Sequence, residues 1–200
     1  MKKLLLTGFV PFLEFPINPT EQIAKNLDGA SIGKYHIYGR GLPVDFSQSA
    51  LTCLEYLEQI QPDVVISLGL AAGRTKITPE RIAINCKDGG PDNQGVWAQD
   101  ELIVEDGPAA YFSTLPIRRF VNVLNEKGYP AQISNTAGTY LCNNVMYSVL
   151  HKVSSENMPV KAGFVHLPAS HELAIQRPTL PSWSQEDLQN AVVCMIEALD

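Results

Sequence analysis

From Lys3 onward the chain alternates short, nearly unbroken apolar runs with longer stretches in which apolar residues return at every third or fourth position. The runs KLLLTGF, YHIYGRGLPV, DVVISLG, YPAQIS and VKAGFVHLP read as strands, and the continuity of DVVISLG is that of a strand buried on both faces. Helical spacing marks NPTEQIAKNL, DFSQSALTCLEYLEQIQ, STLPIRRFVNVLNEKG, CNNVMYSVLHKV and SQEDLQNAVVCMIEAL. Asn18 precedes Pro19 as an N-cap precedes a first helical residue, and Ser184 and Asp187 have capping-box spacing. Residues 87–107, with GGPDNQG in their first half, read as irregular. Strands alternating with helices predict an α/β fold, a three-layer α/β/α domain over residues 1–200 with a mostly parallel sheet. In such folds the site lies beyond the C-terminal ends of the strands.

The polar motifs fall at those ends. In SNTAGTYLCNNVMYSVLHKV a loop of small polar residues meets a helix whose apolar face is Val145, Met146, Val149, Leu150 and Val153, and Cys142 stands at the junction. A helix N-terminus offers unpaired N–H groups and the positive end of the dipole, both of which favour the reactive thiolate. Cys142 therefore reads either as a nucleophile or as a small buried hydrophobe. A thiolate that transfers acyl groups also needs a proton carrier. His36 lies in a strand pattern and His151 on a helix, and both read as packing or surface residues. His166 ends the strand AGFVHLP, and His171 in the adjoining loop is its rival; a strand end holds geometry better than a loop. For a carboxylate to orient the imidazole, Glu80, Asp45, Asp88 and Asp92 are all available, although on its own Glu80 reads first as half of a surface ion pair with Arg81.

Composition narrows the class. Two hundred residues with 45% hydrophobic and 18% charged content suffice for a substantial core. A net charge of −6 with no extended basic run argues against nucleic acid or an anionic membrane as partner. MKKLLLTGFVPF imitates a signal peptide, but its apolar run stops at Thr7-Gly8 and Pro11 follows. Cys53, Cys86, Cys142 and Cys194 show neither CxxC nor zinc spacing, so free thiols and a reducing cytoplasm are expected.

Read together, GLAAGRTKITPERIAIN, ISNTAGTYLCNN, GFVHLP and TGFVPFLEFPINP resemble pyroglutamyl peptidase I, the pyrrolidone-carboxylate peptidase family, and EDGPAAYFSTLP extends the similarity over nearly the whole chain. The resemblance implies a cysteine exopeptidase that removes N-terminal pyroglutamate from peptides without metal or organic cofactor. It places Cys142, His166 and Glu80 as the triad and Phe9, Phe12, Tyr140 and Leu141 around the lactam. It also implies a homo-oligomer, often a tetramer. Two positions depart from the family pattern: Leu70 stands where glutamine is usual, and the interval CKDGG lacks a usual arginine, leaving Lys87 as its cation. The alternatives are another thiol amidohydrolase and a pyroglutamyl binder that has lost turnover. The second has no use for a retained Cys-His-Glu set.

Overall fold

The computed structural model describes residues 1–12, 15–175 and 177–199; residues 13 and 14, inside the TGFVPFLEFPINP motif, lie outside it. The chain runs β1 (Lys2–Phe9), α1 (Pro19–Leu27), β2 (Ser31–Ile32), β3 (Tyr35–Leu42), α2 (Ser49–Ile60) and β4 (Val64–Leu70). Short strands follow: β5 (Thr78–Pro79), β6 (Ile82–Ile84), β7 (Lys87–Gly89), β8 (Ala98–Glu101) and β9 (Ala110–Phe112). Then come α3 (Ile117–Glu126), α4 (Leu141–Ser155), β10 (Lys161–Leu167), β11 (Ala169–Ser170), α5 (His171–Ile175), β12 (Ser182–Trp183) and α6 (Gln185–Glu197). The main sheet has six strands in the order β2-β3-β1-β4-β10-β5, and its four long members pair in parallel.

The side-chain period of two divides each long strand between two cores. Leu4, Leu6, Val64, Ile66, Leu68, Val165 and Leu167 face one side, where α1, α3 and α6 pack. Leu5, Phe9, Val65, Ala162 and Phe164 face the other, under α2 and α4. Each of the buried Leu, Val, Ile and Phe side chains contributes about 1.5–3 kcal/mol of transfer free energy. The expected three-layer α/β/α arrangement is therefore observed, with β4 buried on both faces. Among the described residues no helix is long and apolar enough to cross a membrane.

The predicted helix boundaries hold where a cap fixes them. Asn18 accepts from the Thr20 amide, and Ser184 accepts from that of Asp187. The second helix starts later than its pattern, because the Asp45 carboxylate takes the amides of Ser47 and Gln48 and holds them in a turn. The segment YPAQIS does not form a strand. Ala131 and Ser134 make only isolated bridges to Ile77 and Glu80, because Pro79 on the facing segment has no N–H to continue the ladder. Residues 87–107 are also more ordered than their composition suggests, since β7 and β8 pair antiparallel into an arm.

Candidate active site

The chain leaves β1 for β3 on one side and reaches β4 and β10 on the other, so the sheet changes direction between β1 and β4. Beyond the C-terminal ends of these strands lies a cavity of about 250 Å³. It is lined by Phe9, Phe12, Asn18, Val44, Leu70, Ala137, Tyr140, Leu141, Cys142 and His166. All four residues expected around the lactam are present, together with the nucleophile and base candidates. The two oxygen-bearing side chains in the lining are already engaged. Asn18 Oδ1 accepts from the amide and hydroxyl of Thr20, and the Tyr140 hydroxyl donates to the Pro91 carbonyl.

Cys142 occupies the first turn of α4, where the helix N-cap, Tyr140, supplies no side-chain hydrogen bond. The first amides of the helix are therefore without a side-chain cap where Leu141 and Cys142 line the cavity. Two glycines let the thiol sit there. A Cβ on Gly69 would meet the Phe164 ring at 2.7 Å and Cys142 Sγ at 3.0 Å, so no larger residue fits beneath the sulfur. Gly138 takes φ +78° in the loop that turns into the helix, a conformation costly for a residue with a Cβ. Behind the thiol, the buried Asn143 side chain accepts from the Ile84 amide at 2.9 Å and donates to the Ile84 and Cys86 carbonyls at 2.9 and 3.0 Å. This fixes the start of α4 to β6.

His166 stands on β10 with the parity of Ala162 and Phe164, and so turns toward α4. The residue is 5% exposed, its ring lies 4.9 Å from the Phe164 ring, and it lines the cavity together with Cys142. Its Nδ1 lies 2.7 Å from Glu80 Oε1. Glu80 reaches it because β5 pairs antiparallel with β10, matching Thr78 to His166, while the Glu80 amide donates to the Phe164 carbonyl. Burial pushes the imidazolium down, but the charge of Cys142 as a thiolate, its hydrogen bond, and Glu80 more than offset this and raise His166 to about 9.

The competing candidates lie elsewhere. His171 is exposed and its Nδ1 pairs with the Ser182 hydroxyl. Asp92 accepts from the amides of Phe46, Gln94 and Val96, which hold its carboxyl below the usual range despite burial. Asp45 holds the turn before α2, and Asp88 lies on the arm. Arg81 points to Asn135 and not to Glu80. Burial pushes Cys53 up to about 12, Cys194 is buried, and Cys86 is raised by its surroundings, chiefly burial and then Asp100 and Asp88. Lys87 pairs with Glu101 at 3.1 Å and lines a separate open groove of about 540 Å³ between the arm, α2 and α4. It does not stand in at this cavity for the absent arginine.

Val44 and Asn18 were not legible as cavity walls, although the Asn18-Pro19 cap already placed α1 beside the loop after β1. Arg74 was missed altogether. It lies inside a motif singled out on other grounds, and nothing in its spacing announces that it contacts Glu80 at 2.7 Å.

Comparison with known proteins adds an independent line. The family described as pyroglutamyl peptidase matches residues 2–200. The pyrrolidone-carboxylate peptidase of Oceanobacillus iheyensis is 52% identical over 200 residues, covering all of both chains. That of Pyrococcus furiosus is 49% identical over 176 residues, 88% of this chain and 85% of the relative. Among solved structures, the Thermococcus litoralis pyrrolidone carboxyl peptidase superposes with a TM-score of 0.96 at 44% identity, over 100% of this chain and 93% of the other. Bacillus amyloliquefaciens pyroglutamyl peptidase I gives 0.96 at 38% identity, over 100% and 97%.

Proposed function

From the premise that this chain belongs to the pyroglutamyl peptidase family, we propose that its cavity holds an N-terminal pyroglutamyl residue and that Cys142, His166 and Glu80 release it from the peptide. The protein is a cysteine exopeptidase. The observation that carries the assignment of roles is His166, bonded to Glu80, lining the same mostly apolar cavity as Cys142.

The chemistry follows from that geometry. His166 takes the thiol proton, and the Cys142 sulfur adds to the pyroglutamyl carbonyl carbon. The carbonyl oxygen gains the negative charge, which the Cys142 backbone N–H at the uncapped start of α4 stabilises. The C–N bond then breaks as His166 gives its proton to the departing amine, leaving an acyl-thioenzyme. Water, deprotonated by His166, adds to the thioester, and the sulfur leaves. Glu80 fixes the imidazole tautomer throughout by accepting from Nδ1.

Pyroglutamate is a compact, neutral lactam without a free α-amine. Phe9, Phe12, Val44, Leu70 and Leu141 supply apolar walls that suit its ring. With Asn18 Oδ1 and the Tyr140 hydroxyl proton engaged, backbone donors are left for the lactam C=O, and its N–H can meet a backbone carbonyl or the Tyr140 oxygen. A charged α-ammonium would be desolvated there without a counter-ion. Action on free peptides in a reducing cytoplasm belongs to the same reading, and the free thiols support it. So does assembly into a homo-oligomer, supported by Val96, Trp97 and Leu102 standing exposed on and beside the arm.

The test is hydrolysis of pyroglutamyl-aminomethylcoumarin beside its prolyl and glutamyl analogues. The pyroglutamyl compound alone should be cleaved. Prolyl release at a comparable rate would show that the lactam carbonyl is not read, and no cleavage at all would favour the binder.

A further inference from the structure

The catalytic steps leave one charged contact unused. Arg74, in the turn after β4, is about a third exposed, yet its Nη1 lies 2.7 Å from Glu80 Oε1, the same oxygen that His166 Nδ1 meets at 2.7 Å. The same nitrogen bonds the Thr78 hydroxyl, and Nη2 reaches the Thr136 carbonyl at 3.5 Å. Glu80 itself is wholly buried, and its other oxygen, Oε2, has no hydrogen-bond partner. Burying a carboxylate is costly unless a counter-charge and hydrogen bonds offset it. Here both donors converge on one oxygen, and one of them is the imidazole whose charge the reaction must change. With Arg74 removed, a half-satisfied buried carboxylate would shed its charge by binding a proton.

We infer that Arg74 is a positioning residue: it keeps Glu80 charged and holds Oε1 in line with His166 Nδ1, so that the imidazole can carry its second proton to the leaving amine. The inference rests on the reading of Glu80 as the carboxylate that orients His166. The titratable and charged groups facing this pair are Cys142 on α4 and Arg74 after β4, with Tyr140 one step further out beside Cys142. Arg81 is turned away to Asn135. A merely structural role for Arg74 would be to tie its own turn, closed by the Arg74 amide on the Ala71 carbonyl, to the loop at Thr136. That role predicts lost stability without a changed response to pH.

The experiment compares kcat and KM for pyroglutamyl-aminomethylcoumarin across pH in wild type, Arg74→Met, Arg74→Lys, Glu80→Gln and the Arg74→Met/Glu80→Gln double variant. Arg74→Met should raise the midpoint of the acid limb of kcat/KM by at least about one pH unit, the low end of what a neighbouring arginine does for a carboxylate. At a pH on the wild-type plateau, kcat/KM should fall about tenfold for each pH unit by which that pH lies below the new midpoint, through kcat and with KM nearly unchanged. Lysine restores the charge without the planar fork, so Arg74→Lys should lie between Met and wild type. In the Glu80→Gln background, where no carboxylate needs a counter-charge, removing Arg74 should cost less than about twofold. An unmoved acid limb, or the same loss with and without the carboxylate, would overturn the inference. Should Arg74→Met not fold, Arg74→Lys decides it, since a wild-type acid limb there at reduced kcat would mean the charge is not what matters. A slow Glu80→Gln enzyme with unimpaired Arg74→Met defeats this inference alone, whereas an unimpaired Glu80→Gln enzyme defeats the role given to Glu80 as well.

Discussion

His166 carries two opposed demands in one side chain. It must be packed tightly enough to stay aligned with the thiol, and it must hold a positive charge that burial opposes. The balance falls on the charged side, at about 9, because the attraction and hydrogen bonding of Cys142 and Glu80 outweigh burial. Since this lies above the ordinary value of about 6.5, the pair stabilises the fold fully below that value and loses this contribution as pH rises through the folded one. The expected outcome is an alkaline limb in kcat/KM near pH 9, accompanied by a fall in wild-type Tm over the same range that His166→Gln lacks. A flat alkaline profile in both would contradict the ion pair. At this scale the sequence was most informative where several residue types had to coincide. Cys142, His166 and Glu80 emerge from motif spacing and resemblance, whereas Arg74 is a single basic residue whose importance depends on burial that only folding creates.

The nucleophile and its carboxylate arrive on elements of very different legibility. The long helix α4 and strand β10 are visible as periodicities. Two-residue β5, which carries Glu80 to the sheet edge, is not, because no pattern exists in so short a segment and its pairing with β10 is set by tertiary contact alone. The failed strand at YPAQIS has the same origin, since its partner contains Pro79. What joins these pieces is Asn143, whose amide takes three backbone hydrogen bonds between α4 and β6. Asn143→Ala leaves those buried groups unpaired, so we expect a loss of about 1–3 kcal/mol and a kcat reduced more than KM. Asn143→Asp should be worse, because a carboxylate would face two carbonyl oxygens. Denaturant unfolding with parallel kinetics checks the order, and an alanine variant of wild-type stability and rate would show that α4 is anchored by its apolar face alone.

Over the whole molecule, two cores of alternating strand residues hold the sheet rigid, and the cavity opens where the parallel strands end. That architecture was readable from hydrophobic pattern, because period two and period 3.6 report which face of each element is buried. The 87–107 arm was not, since its Gly, Asp and Asn composition conceals pins that act at a distance. Asn85 binds the backbone at Ile103, Val104 and Gly107, and Asp92 binds that at Phe46. The arm is thereby tethered beside the cavity, with Tyr140 bonded to Pro91 in the loop that joins β7 to β8. The central claim is that all catalysis in this scaffold passes through the Cys142 sulfur. Its most direct test is titration with iodoacetamide, following residual hydrolysis of the pyroglutamyl substrate against the fraction of each cysteine alkylated, read by peptide mass spectrometry. The account predicts activity falling in proportion to Cys142 modification alone, with free pyroglutamate protecting that residue and no other. Full activity after stoichiometric alkylation of Cys142 would contradict it.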